Sequence, residues 1–196
     1  MRNPEATKDT ILKKSGNLFN THGYKATSIS EITDATGFTK GAIYRHFESK
    51  DALERETLAY LSQVMFEKIR SVVKPERTAG NKLRAIFSFF ESYISNPPLK
   101  GGCPLLNAAI EADDAHIGLR KEARKTLTVL RESLIHILQH GINNQQIKPG
   151  IDTDYYATLI IASLEGGIMM SKLEGSDRDI RKVIQHLRTQ LEHLEL

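Results

Sequence analysis

Two short helical patterns joined by a glycine lie in the stretch TSISEITDATGFTKGAIYRHF, residues 27–47. Ser28 and Glu31 have the spacing of a capping box, in which the serine accepts from a free backbone N–H and the glutamate reaches back. Gly37 follows the first pattern, where a turn needs a residue that tolerates positive φ. Thr39 can cap the second pattern. The stretch therefore predicts a helix, a glycine-containing turn and a second short helix.

The two predicted helices have distinct inner and outer faces. Small or apolar residues fall on the inner faces, and these are Ile32, Ala35, Ala42, Ile43 and Phe47. Hydrogen-bond donors fall on the outer face of the second helix, which runs to about Phe47, and these are Thr39, Lys40, Tyr44, Arg45 and His46. A DNA-binding helix-turn-helix places its second helix in the major groove, where outward donors are needed. Two helices that only pack against each other are the alternative interpretation.

The rest of the chain also has the apolar spacing of helices, without strong strand patterns. A first helix ends at Gly23, and a long fourth helix runs from Ser49 to the break at Lys74-Pro75. Five further helical patterns follow, at roughly 79–94, from Pro104, at 117–145, at 152–173 and at 177–194. The sequence predicts an all-α protein of about nine helices, with a DNA-binding domain at 1–48 and a larger helical domain at 49–196.

Positive charge is concentrated at the amino-terminal end of the chain. The first 50 residues carry 8 Lys/Arg and 5 Asp/Glu, whereas residues 51–196 carry 19 of each. The net charge of +3 therefore resides in the segment with the helix-turn-helix pattern, where a polyanion could bind. An excess of this size also arises by chance. A nonspecific architectural DNA-binding protein is another alternative, but that class usually carries far more positive charge.

The composition predicts a cytoplasmic protein without a membrane segment. The longest apolar stretch free of charge, 155–164, has ten residues, whereas a bilayer-spanning helix needs about 20. The amino terminus lacks the apolar run of a signal peptide. Cys103 is the only cysteine, which fits a reducing compartment and excludes an intrachain disulfide.

The residues around the helix-turn-helix resemble the TetR family of transcriptional regulators. The matching segments are 19–24, 27–32, 36–47 and 49–53. The similarity extends over about residues 8–55, with departures at Thr33, where the family usually has alanine, and at Phe38, where it has a smaller aliphatic residue. The resemblance implies a three-helix DNA-binding domain followed by a larger helical domain for ligand sensing and dimerisation.

The resemblance also implies roles for individual residues in DNA binding. Contacts to backbone phosphates are implied for Ser28, Thr39, Tyr44, His46 and Lys50. Contacts to base edges are implied for Lys40, Gly41 and Arg45, with Arg45 as the candidate for bidentate bonding to a guanine. A phosphate contact is the alternative for Arg45, because most protein–DNA bonds go to the backbone. Packing within the small domain is the alternative for Tyr44.

A dimer and a ligand cavity follow from the same resemblance. Family members dimerise through their last two helices, and the candidate interface residues are Leu159, Ser163, Gly167, Ile184, Leu187 and Leu191. The candidate cavity residues are Met65, Phe66, Ile69, Phe87, Phe90, Tyr93, Leu106, Asn107, Ile110 and Met169. Core packing is the alternative for each apolar candidate, and Asn107 could bond a ligand or nearby backbone. Residues 165–171 loosely resemble the LmrA/YxaF-like branch of the family.

The sequence thus predicts a TetR-type regulator, with repression as the implied direction, rather than an enzyme. We expect it to bind a palindromic operator as a homodimer, to be released by a small-molecule effector, and to need no metal or cofactor. A helical-bundle enzyme with a metal at His136 and His140 is the alternative, but it leaves the 28–50 pattern unexplained and has no evident third ligand. Cys103 could be a redox sensor at a helix amino terminus, with space filling as the alternative.

Overall fold

The protein is built from α-helices. The computed structural model describes residues 4–112 and 116–196. Within these ranges there are nine helices: α1 Pro4–His22, α2 Ile29–Thr36, α3 Lys40–Tyr44, α4 Lys50–Val73, α5 Ala79–Glu91, α6 Pro104–Glu111, α7 Ile117–Asn143, α8 Thr153–Glu174 and α9 Arg178–Leu194. The predicted all-α class and number of helices are confirmed. None of the nine helices is both long enough and apolar enough to cross a membrane.

The turn between α2 and α3 has the predicted caps. The Ser28 hydroxyl accepts from the Glu31 N–H at 3.2 Å, and the Glu31 carboxylate accepts from the Ser28 N–H at 2.7 Å. Gly37 ends α2 with φ 70°, a left-handed conformation that glycine adopts without strain. Thr39 caps α3 by accepting from the Ala42 N–H at 3.2 Å. Local hydrogen bonds therefore fix both ends of the turn.

Helix α3 is shorter than the sequence predicts. It ends at Tyr44 rather than near Phe47, and a tighter turn follows in which the His46 N–H donates to the Ile43 carbonyl at 3.0 Å. Ile43 and Phe47 are only 0% and 2% exposed. The Phe47 N–H also donates to the Ile43 carbonyl, at 3.1 Å, so the turn directly follows α3 and ends with Phe47 buried beneath the helix.

The described parts of residues 1–65 and 99–126 form a first compact unit. Its core side chains include Ile11, Phe19, Tyr24, Ile32, Ile43, Phe47, Leu53, Leu58, Ala108 and Leu119. The Phe19 and Tyr24 rings stack with their centroids 4.9 Å apart. A Cβ at Gly16 would lie 2.9 Å from Leu61 Cδ2, so this glycine permits α1 to approach α4 closely. This core holds α2 and α3 from beneath.

Residues 66–98 and 127–196 form a second compact unit. Helix α9 packs on α5 and α8, and its buried side chains are Ile180, Ile184, Leu187, Leu191 and Leu194. A Cβ at Gly167 would lie 2.7 Å from Ile180 Cδ1, so Gly167 permits the close approach of α8 to α9. The Lys148 N–H donates to the Leu194 carbonyl at 2.8 Å, which ties the end of α9 to the loop before α8.

Helix α4 contributes to both units. Its residues 50–65 belong to the first unit and its residues 66–73 to the second. The units are defined by packing, whereas the predicted boundary at residue 48 divides the chain by function. That functional division into segments 1–48 and 49–196 stays a prediction.

Candidate nucleic-acid interface

Helix α3 separates a buried face from an exposed face. Ile43 lies beneath it, fully buried. The exposed residues on and beside the helix are Thr39, Lys40, Gly41, Tyr44 and Arg45, and His46 is half-buried. A Cβ at Gly41 would meet no described atom within 4 Å. The predicted faces are confirmed for Ile32, Ile43 and Phe47 beneath and for the exposed donors, whereas Ala35, expected on the inner face, is exposed.

Two of the outer side chains lie against each other. The Lys40 Nζ lies 5.9 Å from the centroid of the Tyr44 ring, within the range of a cation–π contact. Tyr44 is 38% exposed, so its ring covers the surface rather than filling the core. This exposure argues against packing as the sole role of Tyr44. The ammonium group and the phenol hydroxyl are held close together on the face that solvent reaches.

The two capping hydroxyls differ in what they can still donate. Ser28 Oγ lies 2.9 Å from Glu31 Oε2, so its hydrogen is directed at this carboxylate, and a phosphate would have to displace it. Bonds from the Ser28 N–H and hydroxyl lower the pKa of Glu31, which keeps the carboxylate charged. Thr39 Oγ1 accepts from the Ala42 N–H, which leaves its own hydrogen able to donate to a phosphate.

Lys50 is the first residue of α4 and is held by two partners. Its Nζ donates to the Tyr24 carbonyl at 2.9 Å and lies 3.1 Å from Glu54 Oε1. The side chain is half-buried. An ammonium group has three hydrogens, so one remains for a further acceptor. The two bonds fix the position of this charge at the junction between α1, α4 and the loop before α2.

A cavity of about 600 Å³ lies in the second unit. Its apolar lining is Phe66, Ile69, Val73, Ile86, Phe90, Val129, Leu130, Leu134, Ile137, Ile161 and Leu164. Its polar lining is Arg70, Lys82, Glu132, Ser133, His136 and Glu165. Volume and lining are those of a site for a mainly apolar small molecule. The predicted cavity residues Phe66, Ile69 and Phe90 line it.

The other predicted cavity residues lie elsewhere. Met65, Leu106, Asn107 and Ile110 belong to the first unit, and Asn107 uses its amide to bond Asn20 Oδ1 at 2.9 Å and the Gly101 carbonyl at 3.1 Å. Of the two expected partners for the Asn107 amide, a ligand or nearby backbone, the structure therefore shows the nearby chain. Phe87 lines a smaller cavity of about 260 Å³, Tyr93 is fully buried and Met169 is 45% exposed. The sequence missed the contributors from α7 and α8 and, on α5, Lys82 and Ile86, because helical spacing cannot tell which of several half-apolar faces borders a cavity.

The candidate dimer residues also divide into two groups. Leu159 is 41% exposed and Ser163 is half-buried. Ile184, Leu187 and Leu191 are 0%, 6% and 2% exposed, and Gly167 is covered by α9. These four are buried within the chain because the apolar stripe of α9 packs on α5 and α8, and their contact with a partner subunit stays a prediction. Contact of Leu159 and Ser163 with a partner also stays a prediction.

The alternatives at His136, His140 and Cys103 find little support in the described residues. The two histidine rings are 6.3 Å apart between centroids, and His140 is within 3.3 Å of the Asn144 amide through either ring nitrogen. Among the described residues, the His, Asp and Glu side chains that do approach one another, with one atom of each within 4.8 Å of the others, are Asp51, Glu54 and His116. Cys103 is buried at the start of α6. A redox role for Cys103 stays a hypothesis.

A capped helix-turn-helix on a packed three-helix base, followed by a helical unit with a cavity, defines a helix-turn-helix transcriptional regulator. Residues 11–57 match the family model described as bacterial regulatory proteins, tetR family. Residues 79–187 match the model described as tetracyclin repressor-like, C-terminal domain. The chain belongs to the TetR family of transcriptional regulators. The likeness of residues 165–171 to one branch of the family stays a prediction.

Similar proteins support this assignment along the whole chain. A TetR transcriptional regulator from Chloroflexus aurantiacus J-10-FL is 35% identical, with a TM-score of 0.94 over 100% of this chain and 98% of that chain. The HTH-type transcriptional repressor KstR2 of Mycolicibacterium smegmatis is 24% identical over 165 residues, which cover 77% of this chain and 72% of the relative. The regulator CifR, solved with a 26-bp double-strand operator DNA, has a TM-score of 0.83 at 19% identity over 95% of each chain.

Proposed function

We propose that this protein is a repressor that binds a palindromic operator as a homodimer and leaves it when a small apolar effector fills the cavity of the second unit. The observation that carries the proposal is the division of α3. Lys40, Tyr44 and Arg45 are exposed on it, whereas Ile43 and Phe47 beneath it are 0% and 2% exposed. Donors on a rigid base have fixed positions, which the reading of base edges requires.

The outer residues have the chemistry of a major-groove reader. Arg45 and Lys40 can donate to guanine O6 and N7, and Gly41 leaves room for close approach to the bases. Thr39, Tyr44 and His46 would donate to phosphates, as would Lys50 with its remaining hydrogen. Ser28 would do so where a phosphate displaces Glu31 Oε2 from its hydroxyl. The capping bonds of α2 and the two bonds of Lys50 hold these phosphate-donor groups in fixed positions relative to one another. The structure of CifR with operator DNA supports this use of the fold.

A twofold dimer is needed because one five-residue helix reads too few base pairs for a specific operator. Two copies of α3 about 34 Å apart would enter successive major grooves. Helix α8 supplies a surface for pairing, because its exposed large apolar side chains include Tyr155, Leu159, Met169, Met170 and Leu173. Exposed apolar patches of this kind mark protein interfaces. The relative KstR2 is described as a transcriptional repressor, which supports repression rather than activation for this chain.

Release by an effector would act through α4. Residues Phe66, Ile69, Arg70 and Val73 near its end line the cavity, and Lys50 is its first residue. A ligand that shifts this helix would change the position of Lys50 and of the segment that α4 packs against. A coupling of about 1–3 kcal/mol between effector and operator is the usual scale.

The proposal is tested by selecting bound sites from random duplex DNA at fixed physiological salt. We expect an inverted repeat, preferred by about 10³-fold or more over random duplex. Arg45→Ala should relax the preference at one position in each half-site by about 1–3 kcal/mol. Arg124→Ala removes the same charge from an exposed position on α7 and should leave the preference unchanged.

A second variant separates phosphate contacts from base reading. Lys50→Ala should weaken binding to all duplexes alike and reduce the dependence of affinity on salt. Recovery of no inverted repeat, or a protein that sediments as a monomer at concentrations where it binds DNA, would contradict the proposal. Equal losses for Arg45→Ala and Arg124→Ala would contradict the role of Arg45.

A further inference from the structure

The first turns of α7 carry positive side chains on one face, the α7 basic face. Its members are Arg120, Lys121, Arg124 and Lys125, and all four are exposed. At 3.6 residues per turn they fall within about 140° of the helix circumference. Leu119, Ala123 and Thr126 lie on the opposite face and are 0%, 5% and 9% exposed. The packed side of the helix therefore turns all four cations outward.

The α7 basic face lies where a helix tolerates positive charge least. It begins in the first turn of α7, which contains no acidic residue, and the macrodipole of a helix repels cations from its amino-terminal end. The two arginines are four residues apart, as are the two lysines, and like charges at this spacing destabilise a helix. Local preferences are broken in this way mainly at functional positions. An anionic partner on this face would offset the repulsion.

The chain itself neutralises the basic face only in part. The Lys125 Nζ lies 2.9 Å from Glu122 Oε2. Within residues 4–112 and 116–196, Lys121 and Arg124 have no hydrogen bond or ion pair with an acidic side chain. Residues 117–126 carry four Lys/Arg and one Asp/Glu, a net charge of +3, which equals the excess in the first 50 residues. The surface around these two side chains is therefore strongly positive.

The basic face begins beside Lys50, the residue proposed to bind a phosphate. A Cβ at Gly118 would lie only 3.0 Å from Asp51 Oδ1, so the first turn of α7 meets the first turn of α4. Glu54 joins the two elements, because its Oε1 lies 3.1 Å from the Lys50 Nζ and its Oε2 contacts the His116 ring directly before α7. The start of the basic face and the Lys50 ammonium group are thus held by the same carboxylate.

We propose that the α7 basic face binds the DNA backbone, at phosphates additional to those bound by the helix-turn-helix and Lys50; this rests on the proposed function. The four cations span about 7.5 Å of helix axis, and duplex DNA carries one negative charge per about 1.7 Å, so the face can meet more than one phosphate. DNA is the polyanion that the proposed function brings to the first unit, which contains both α3 and this part of α7. The charge count conceals the face, because residues 51–196 carry 19 charges of each sign.

A matched pair of double variants tests the contact. The α7 variant, Lys121→Gln/Arg124→Gln, and the α9 variant, Arg181→Gln/Lys182→Gln, each remove one exposed arginine and one exposed lysine. The α7 variant should bind the selected operator at least about tenfold more weakly at 50 mM salt and lower the slope of log affinity against log salt by about 2–4 per dimer, since each lost phosphate contact removes about 0.9. The α9 variant, altered in the second unit, should keep the affinity and slope of the parent protein.

Phosphate-ethylation interference locates the contact on the DNA. Ethylation should weaken binding of the parent protein at a group of phosphates in each half-site where the α7 variant is insensitive, and this group should differ from the one lost in Lys50→Ala. The α7 variant should keep or raise the thermal unfolding midpoint, because it relieves like-charge repulsion between exposed side chains. It should also keep the preference between sequences, because phosphate contacts carry no sequence information.

Three outcomes would overturn the α7 contact. The first is an interference pattern of the α7 variant identical to that of the parent protein, and the second is an equal loss of affinity in the two double variants. The third is loss of binding to vesicles of phosphatidylglycerol and phosphatidylcholine in the α7 variant while its DNA binding is unchanged, which would assign the face to anionic lipid. A parent protein that prefers no palindrome would overturn the proposed function instead, and salt slopes on random duplex would still measure the α7 contact.

Discussion

The two units of the protein solve opposite problems with the same element, the α-helix. In the first unit the side chains beneath α3 are closely packed, both helix starts around the turn are capped, and the exposed face is polar. In the second unit the helices leave a cavity of about 600 Å³, and α8 exposes large apolar side chains. In the proposed function, reading base edges needs donors in fixed positions, whereas binding an effector and a second subunit needs accessible apolar surface. The closely packed first unit is therefore the rigid part of this chain, and the second unit, with its cavity and exposed apolar residues, is the adaptable part.

The largest expected effect is the loss of unfolding free energy when one phenylalanine in each unit is replaced by alanine. Phe19 is fully buried and stacks on Tyr24, so Phe19→Ala should lower the free energy of unfolding by about 3–5 kcal/mol. Phe90 lines the cavity and is half-buried, so Phe90→Ala should cost only about 1–2 kcal/mol. Urea unfolding at one fixed protein concentration measures both. Equal costs would show that the two units are packed alike.

A pair of glycines sharpens the same comparison. Gly101 has φ 94°, and a Cβ there would lie 2.1 Å from the Asn20 carbonyl oxygen, whereas Gly150 has φ 80° and no described atom within 4 Å of its Cβ position. Gly150→Ala should cost about 1–2 kcal/mol from the left-handed backbone alone. Gly101→Ala should cost about 1–3 kcal/mol more, because backbone has to move. Thermal and urea unfolding measure the loss of unfolding free energy in each variant. Equal losses in the two variants would contradict the close contact at Gly101.

Gly41 separates the stability of α3 from its proposed use. A Cβ there meets open space, so Gly41→Ala should raise the free energy of unfolding by up to about 1 kcal/mol through helix propensity. The added methyl group faces the proposed groove and should weaken operator binding by about tenfold. A variant that is more stable and binds DNA equally well would place Gly41 outside the interface.

The smallest expected effect is the pH dependence of the α2 cap. The pKa of Glu31 is lowered by bonds from Ser28, so the cap stabilises the fold above the unfolded-state pKa of about 4.3 and loses this contribution as pH falls through the folded-state value. The difference in unfolding free energy between the parent protein and Glu31→Gln should therefore shrink from pH 7 to pH 3. Thr39→Ala removes an uncharged cap, and its cost of about 1 kcal/mol should be the same at both pH values.

Features that depend on neighbours in sequence could be predicted closely. The capping box of Ser28 and Glu31, the left-handed Gly37, the cap at Thr39 and the buried Ile43 are all observed. The end of α3 could not be placed, because the burial of Phe47 is decided by the helices around it. Contacts of these residues with DNA stay predictions.

Features that depend on which helix faces which were predicted poorly. The apolar residues of α9 were candidates for a dimer interface; they pack on α5 and α8 within the chain, and their contact with a partner stays a prediction. Asn107 was a cavity candidate, yet its amide bonds Asn20 in the first unit. Periodicity shows that a helix has an apolar face, but it does not show what covers that face.

The sequence by itself determined the helical class and the capped turn, because caps, turns and periodicity are set by residues within a few positions of one another. The family was indicated by the resemblance of its motifs to the TetR family. Only the tertiary structure decided that Phe66, Ile69 and Phe90 share a cavity and that Asp51, Glu54 and His116 meet. Those groupings come from packing between distant segments, where the burial of many side chains together selects one arrangement that no single segment specifies.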